Sequence, residues 1–257
     1  VINSMPDQPK HGSSTVLNPK DLAALSRAST ATITTQLFKL GYRNTFLAGV
    51  RLQSSPTGRM LGEAFTLRYI PAREDIDVLA AFDDYDHPQR KAIESTKSGQ
   101  ILVMDCRQET RAASAGHILL TRAAARGAAG VVTDGSLRDI AGISELDMPV
   151  YAAAPAAMTN LATHHAVDLN VPIGCAGVPI FPGDILVGDS DGVVCVPRHL
   201  VSDIAQPAAE QEALEDFILS QVQAGVGLRG TYPPDEQTME RYARYCGNHP
   251  SYKEDLA

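Results

Sequence analysis

The sequence has no stretch approaching the roughly 18 consecutive apolar residues that a bilayer-spanning helix requires, so no membrane span is expected. It also lacks a basic surplus: 22 Lys and Arg stand against 30 Asp and Glu, a formal net charge of −8. That balance argues against a nucleic-acid partner, because phosphate backbones are held by clustered cations. The first residues, with Asp7, Lys10 and His11 among Pro, Ser and Gly, contain no apolar core of a secretory signal. Cysteine is scarce, and Cys106, Cys175, Cys195 and Cys246 form no CxxC pair. Their mostly apolar, strand-like settings predict buried, reduced thiols and a cytoplasmic protein. HExxH, Walker and GxSxG motifs are missing too, which removes the commonest signatures of zinc hydrolysis, nucleotide binding and serine hydrolysis.

What is present is ordinary for a globular chain: 257 residues, 44% hydrophobic and 20% charged, enough for one sizeable core. Residues 1–18 read as a flexible N-terminal arm, 19–234 as the folded domain and 235–257 as a tail with a short helix. Within the domain, PKDLAALSRAST and ATITTQLFKLGYR predict two helices after Asn18. FLAGVRLQ and GEAFTLRYIPA predict strands, and PQRKAIEST one or two helical turns. The middle is the most regular: strand 99–105, helix 116–127 and strand 129–134 form a β-α-β unit with nearly all-apolar strands, as expected where both faces are covered. MPVYAAA predicts a further strand and MTNLATHHA a helical piece, with His164 and His165 on its surface. A β-rich block follows, with turns at Pro182-Gly183-Asp184 and Ser190-Asp191-Gly192, then a long helix from about His199 to Ala224.

Two motif-like strings carry no chemistry. Gly225-Val226-Gly227-Leu228-Arg229-Gly230 matches GxGxxG, but a helix precedes it and Thr-Tyr-Pro-Pro follows, where a dinucleotide site needs a strand and then a helix. Asp189-Ser190-Asp191-Gly192 lacks the glycine and glutamate positions of a calcium loop and reads as a hairpin turn.

The segment Arg126 to Asp139, RGAAGVVTDGSLRD, is different. An apolar strand delivers Asp134-Gly135 to its C-terminal end, and Arg138-Asp139 follow in a loop at the sheet edge where open α/β folds place ligands. Adjacent guanidinium and carboxylate groups suit an anionic substrate and a cation. The preceding helix, capped by Ser114, offers the backbone N–H groups of its first turn, Gly116 to Leu119, to a carboxylate at the same edge.

With these residues in view, the sequence resembles the 4-hydroxy-4-methyl-2-oxoglutarate / 4-carboxy-4-hydroxy-2-oxoadipate aldolases, which share their fold with the regulator of ribonuclease activity A. The resemblance runs from about Ser29 to Pro234 and is carried by ARGAAGVVTDGSLRD, VPIGCAGVPIFPGDILVGDSDGVVCVP and EQEALEDFI. The extended middle, YIPARED then DDYDHPQRKAIE, is similar to a longer subgroup. The resemblance implies a three-layer α/β fold of the swivelling β/β/α type with a central, partly parallel sheet. It implies a divalent-metal-dependent lyase, Mg²⁺ or Mn²⁺ in kind, cleaving 4-hydroxy-2-oxo-acids to pyruvate through an enolate, with oxaloacetate decarboxylation as a side activity. It assigns Asp139 to the metal, Arg138 to the oxo-acid oxygen, and Gly116, Ile118 and Leu119 to the pyruvyl carboxylate. His117 stands where the family has an acid, and is expected near the metal's water shell, where it either accepts a proton or merely occupies the space. The resemblance further implies a homotrimer or homohexamer in which Glu215, or second Glu212, reaches the metal's waters from a neighbouring subunit.

Two rivals remain at this stage. One is a different metal-dependent lyase, hydratase or isomerase acting on a sugar-derived oxo-acid. The other is a non-catalytic regulator that binds a protein partner; Asp139, which such members tend to lack, favours an enzyme.

Overall fold

The computed structural model describes residues 17–248, so all but the last two residues of the expected N-terminal arm, and the end of the tail, lie outside the described residues. Nine strands among the described residues form one mixed sheet, organised by the long strand β2 (Met60–Pro71). With β1 (Arg51–Leu52), β3 (Gln100–Asp105), β5 (Gly130–Arg138), β6 (Val150–Pro155), β8 (Ile185–Gly188) and β9 (Val193–Val196), it gives the order β1-β6-β5-β3-β2-β8-β9. The centre, β2-β3-β5-β6, is parallel, and the flanks are antiparallel. The short strand β4 (Ala113–Gly116) adds parallel to the C-terminal half of β5, and β7 (His164–Leu169) adds antiparallel to the second half of β2.

The central strands are apolar on successive residues because each face meets a different core. Leu102, Met104 and Val131 pack under α3 (Pro88–Ser95), α4 (His117–Ala125) and α5 (Ile140–Ile143). Ile101, Val103 and Val132 face the opposite core, which Ile173, Val178 and Ile180 close. In β8 the alternation continues: Leu186 joins that second core, while Ile185 and Val187 turn to a third, under α1 (Pro19–Arg27), α2 (Thr30–Lys39) and α6 (Val201–Gln223). The result is the expected three-layer α/β architecture. Each fully buried Leu or Ile side chain stabilises it by about 1.5–3 kcal/mol. A last helix, α7 (Glu236–Asn248), docks on α6 through Tyr242 and Tyr245 against the Phe217 ring, with centroids 5.4 and 5.3 Å away.

Helix starts follow local chemistry. Asn18 caps α1 by accepting from the Lys20 N–H (3.0 Å), with Pro19 at the first helical position. Ser29 caps α2, and its own N–H and hydroxyl donate to Glu212 on α6 (2.9 and 3.0 Å). All four cysteines are free and buried, and no described helix is long and apolar enough to cross a membrane. Asp189 to Gly192 is the expected hairpin turn between β8 and β9, and the Asp189 carboxylate accepts from Thr30 at the start of α2.

Four local expectations are corrected. FLAGVRLQ contributes only Arg51–Leu52 to a ladder, because a turn at Ala48-Gly49, with Gly49 at φ +88°, interrupts it. The strand expected over 129–134 continues to Arg138, because β4 supplies a partner for its second half. Ser114 does not cap α4: it is buried in β4, where its hydroxyl donates to the Ser136 carbonyl (3.0 Å), and Gly116 occupies the cap position. MTNLATHHA is one short 3₁₀ turn and then β7, and His164 is fully buried rather than on a surface. Its Nε2 bonds the Ala112 carbonyl (3.1 Å), and its ring lies 5.3 Å from that of Tyr69. Pairing with β2, invisible to local periodicity, decides the outcome.

Candidate functional site

The side chains singled out in the sequence gather where β4 and β5 end side by side. Gly116 is in register with Arg138 across the two parallel strands, so α4 leaves the sheet beside the Arg138-Asp139 pair. Gly116 is needed here for space rather than backbone freedom, its φ being −130°. A Cβ at this position would lie 2.9 Å from Asp139 Oδ2 and 3.1 Å from Arg138 Cγ. Asp139 is left-handed (φ 63°, ψ 43°), a conformation that short polar side chains tolerate. It stands at the start of α5 but makes no capping bond with its side chain, so the carboxylate is available to the site. Arg138 Nε and Asp139 Oδ2 are 3.8 Å apart and partly exposed, a loose pair that leaves both groups free to engage other partners.

Two cavities meet at this pair. One, about 190 Å³, is lined by Gly116, Ile118, Leu119, Arg138 and Asp139 together with residues of α3 and the 159–160 turn. The other, about 430 Å³, lies beyond Arg138 and Asp139 against Pro155, Ala156 and Ala157. The first turn of α4 therefore opens on the same space as the guanidinium and the carboxylate. His117 turns away from that cavity: its ring lies over α5, and a Cβ on Gly142 would be 2.4 Å from His117 Nδ1.

Asp134, which the sequence places at the end of the strand, is instead in mid-strand and 2% exposed. Its carboxylate accepts from the backbone N–H groups of Cys106 (2.6 Å), Ala176 (3.0 Å) and Gln108 (3.1 Å). Burial raises its pKa, and those backbone bonds pull the other way. It braces two turns that contain left-handed residues, Arg107, Gln108 and Ala176, beneath the site. Glu212 and Glu215 line neither cavity. Glu212 is held by Ser29, and Glu215 accepts from Gln211 Nε2 (2.8 Å) on α6. Residues that sequence reasoning did not single out, Phe82, Gln89, Arg90 and Asn160, complete the smaller cavity. The extended segment from β2 into α3 contains the first three, and no local pattern marks Asn160.

Among the described residues no three His, Cys, Asp or Glu side chains cluster to hold a metal ion. A closed zinc site is not what this donor set builds. A single unengaged carboxylate, Asp139, does fit Mg²⁺ or Mn²⁺, which keep several waters and accept one or two protein oxygens.

Known proteins share this fold. The family model described as RraA-like, Aldolase/RraA, matches residues 30–195, well over half the chain. The chain belongs to the RraA-like family. A Thermus thermophilus relative named 4-hydroxy-4-methyl-2-oxoglutarate aldolase is 33% identical to this RraA-like chain over 109 residues, 42% of this chain and 66% of that protein. A Halalkalibacterium halodurans protein, provisionally named for the same activity, is 36% identical over 138 residues, covering 52% of this chain and 65% of its own length. The matched region thus spans just under two thirds of these relatives. Among solved structures, Streptomyces coelicolor RraAS2, described as an unusual member of the RNase ES inhibitor RraA family, superposes with a TM-score of 0.68. It is 28% identical, over 78% of this chain and 96% of that one.

Proposed function

We propose that this RraA-like protein is a lyase that breaks the carbon–carbon bond next to a pyruvyl unit in 4-hydroxy-2-oxo-acids, with oxaloacetate decarboxylation as a side activity. The observation that carries the reading is the convergence of Gly116, Ile118, Leu119, Arg138 and Asp139 on one small cavity. The aldolase names of the Thermus and Halalkalibacterium relatives support it.

In this reading the first-turn N–H groups of Ile118 and Leu119 take the substrate's 1-carboxylate, at the positive end of α4. The Arg138 fork takes the 2-oxo oxygen. A divalent cation, Mg²⁺ or Mn²⁺, held through Asp139 would supply Lewis-acid stabilisation of the charge that develops on that oxygen. Arg138, fixed at the end of β5, adds a second, preorganised positive charge there. The 4-hydroxyl gives up its proton as the C3–C4 bond breaks; the bonding electrons pass into the pyruvate enolate, which takes a proton at C3. His117, whose ring lies over α5 outside that cavity, is assigned to pass that proton on through intervening water. Glu215 is assigned to the same site from a neighbouring copy in a homotrimer or homohexamer. Glu212, whose Oε2 accepts from Ser29, is the second choice for that place.

The test is pyruvate release from a panel of 4-hydroxy-2-oxo-acids and oxaloacetate, with Asp139→Asn as control. Release by the wild type and at least about a hundredfold less by the variant, the scale of a lost charge-stabilising contact, is the expected result. No release from any panel member overturns the reading. The regulator reading, raised by the description of the Streptomyces neighbour, gives no task to an Arg-Asp pair facing a cavity.

A further inference from the structure

The lyase reading leaves one proton without a named acceptor inside the cavity. Cleavage begins with loss of the 4-hydroxyl proton, yet Asp139 is the only carboxylate in the lining of the smaller cavity, and no histidine lines it. Arg90 and Arg138, the other charged groups of the wall, are cations that take up no proton. Asp139 is committed to the divalent cation. Water is the acceptor that remains, and holding it falls to the neutral polar side chains of the wall, Gln89, Thr159 and Asn160.

Of these three, Gln89 is the one that is both buried and directed. It stands in the first turn of α3 and is 4% exposed. Its Nε2 donates to the Ser114 carbonyl in β4, which also accepts from the Tyr69 hydroxyl (3.2 Å) and from Asn160 Nδ2 (3.3 Å). Turning the Gln89 amide over would set its oxygen against that carbonyl, so its orientation is fixed. With Nε2 spent on the sheet, Oε1 is the end of the amide left for the cavity. It accepts no described hydrogen bond, and it is not wholly enclosed by protein as Asn160 Oδ1 is. An acceptor so placed takes a donor from a ligand or a water. Thr159 offers a half-buried hydroxyl whose proton rotates to suit its neighbours, and so sets no direction.

Resting on the function proposed above, we infer that Gln89 is a positioning residue whose Oε1 holds the water that takes the proton of the substrate's 4-hydroxyl. The water donates one O–H to Oε1 and turns a lone pair to the hydroxyl. As the proton passes to the water, the C4–O bond becomes a carbonyl and the C3–C4 electrons pass into the enolate. A direct bond from the 4-hydroxyl to Oε1 would not serve, because an amide oxygen is too weak a base and would retain the proton that has to leave. Decarboxylation of oxaloacetate forms the same enolate without this step: its 4-carboxylate leaves as CO₂, and no O–H bond breaks. Gln89 therefore matters to one of the two reactions far more than to the other.

Pyruvate release by wild type and by Gln89→Met is compared on a 4-hydroxy-2-oxo-acid and on oxaloacetate, with Mg²⁺ present. The replacement keeps the length of the side chain and removes its acceptor. The expected result is that the ratio of the two kcat values, cleavage over decarboxylation, falls by at least about tenfold, a part of the roughly 10²–10⁴-fold that acid–base catalysis supplies. KM should move by less than about threefold. Gln89→Glu, which puts an acceptor oxygen back, should recover most of that ratio. An unchanged ratio in Gln89→Met overturns the inference, whether both rates hold or both fall, because Gln89 would then be idle or would support the wall alone; the lyase reading stands in either case. A Gln89→Glu protein with the ratio of Gln89→Met overturns it as well. A wild type that releases no pyruvate from hydroxylated substrates defeats the lyase reading, and this inference with it. Gln89→Leu, which also lacks an acceptor, carries the same comparison should Gln89→Met not fold.

Discussion

At Gly116 the absence of a single carbon lets Asp139 and Arg138 cross the end of β4. The atoms a Cβ would meet belong to flexible side chains, so Gly116→Ala should fold with its melting temperature within a few degrees of wild type, yet lose most pyruvate release by displacing the Asp139 carboxylate. A variant that melts normally and turns over normally would show that the pair does not need this space. Arg138→Lys keeps the charge but loses the two-pronged grip. It should lower kcat/KM by about a hundredfold or more; a loss below about threefold would make Arg138 structural. These residues were legible in the sequence because charge, glycine and strand end occur together within a few positions. Arg90 and Asn160 were not, because the chain returns to the cavity from α3 and from the turn before β7, and no local pattern records that return.

Among the elements, α2 and β7 show what tertiary pairing adds. The start of α2 is held by Glu212 from α6 and by Asp189 from the β8–β9 turn. Glu212→Ala should destabilise the fold by about 1–2 kcal/mol, from the lost cap-like and charge-assisted bonds, read as a lower denaturant midpoint; an unchanged midpoint would contradict that role. In β7, burial lowers the pKa of His164, as it does for His87 after α3 is approached. Below the ordinary histidine value of 6.5 the unfolded chain therefore binds more protons than the folded one. Stability should be full above that pH and fall as the pH drops below it. Thermal melts across this window should show the fall, and His164→Gln should make it shallower; an equal slope in both proteins would refute the assignment. Asp134 and Asp184, raised by burial, act in the opposite sense nearer the carboxylate range. The β3-α4-β5 unit was readable because its strands are apolar on both faces and its helix is regular. HHAVDL was not, because only β2 makes it a strand.

For the whole molecule, three cores stacked on one mixed sheet put the end of β5 and the face of α6 in different layers. The three-layer class followed from the β-α-β pattern and the resemblance together, while strand order followed from neither. Glu215 can meet Arg138 only if another copy supplies it, which a heterologous, ring-closing interface would do. Mixing Asp139→Ala with Glu215→Ala proteins should then restore part of the activity each lacks; a fully active monomer would end the shared-site idea. The central claim is more direct: a lyase whose charge stabilisation runs through Asp139 and a divalent cation. Its most direct measurement is pyruvate release from 4-hydroxy-2-oxo-acids by thoroughly demetallated protein, before and after addition of Mg²⁺ or Mn²⁺. The account predicts no release in excess EDTA and restored release with either metal. Undiminished turnover in EDTA would contradict it.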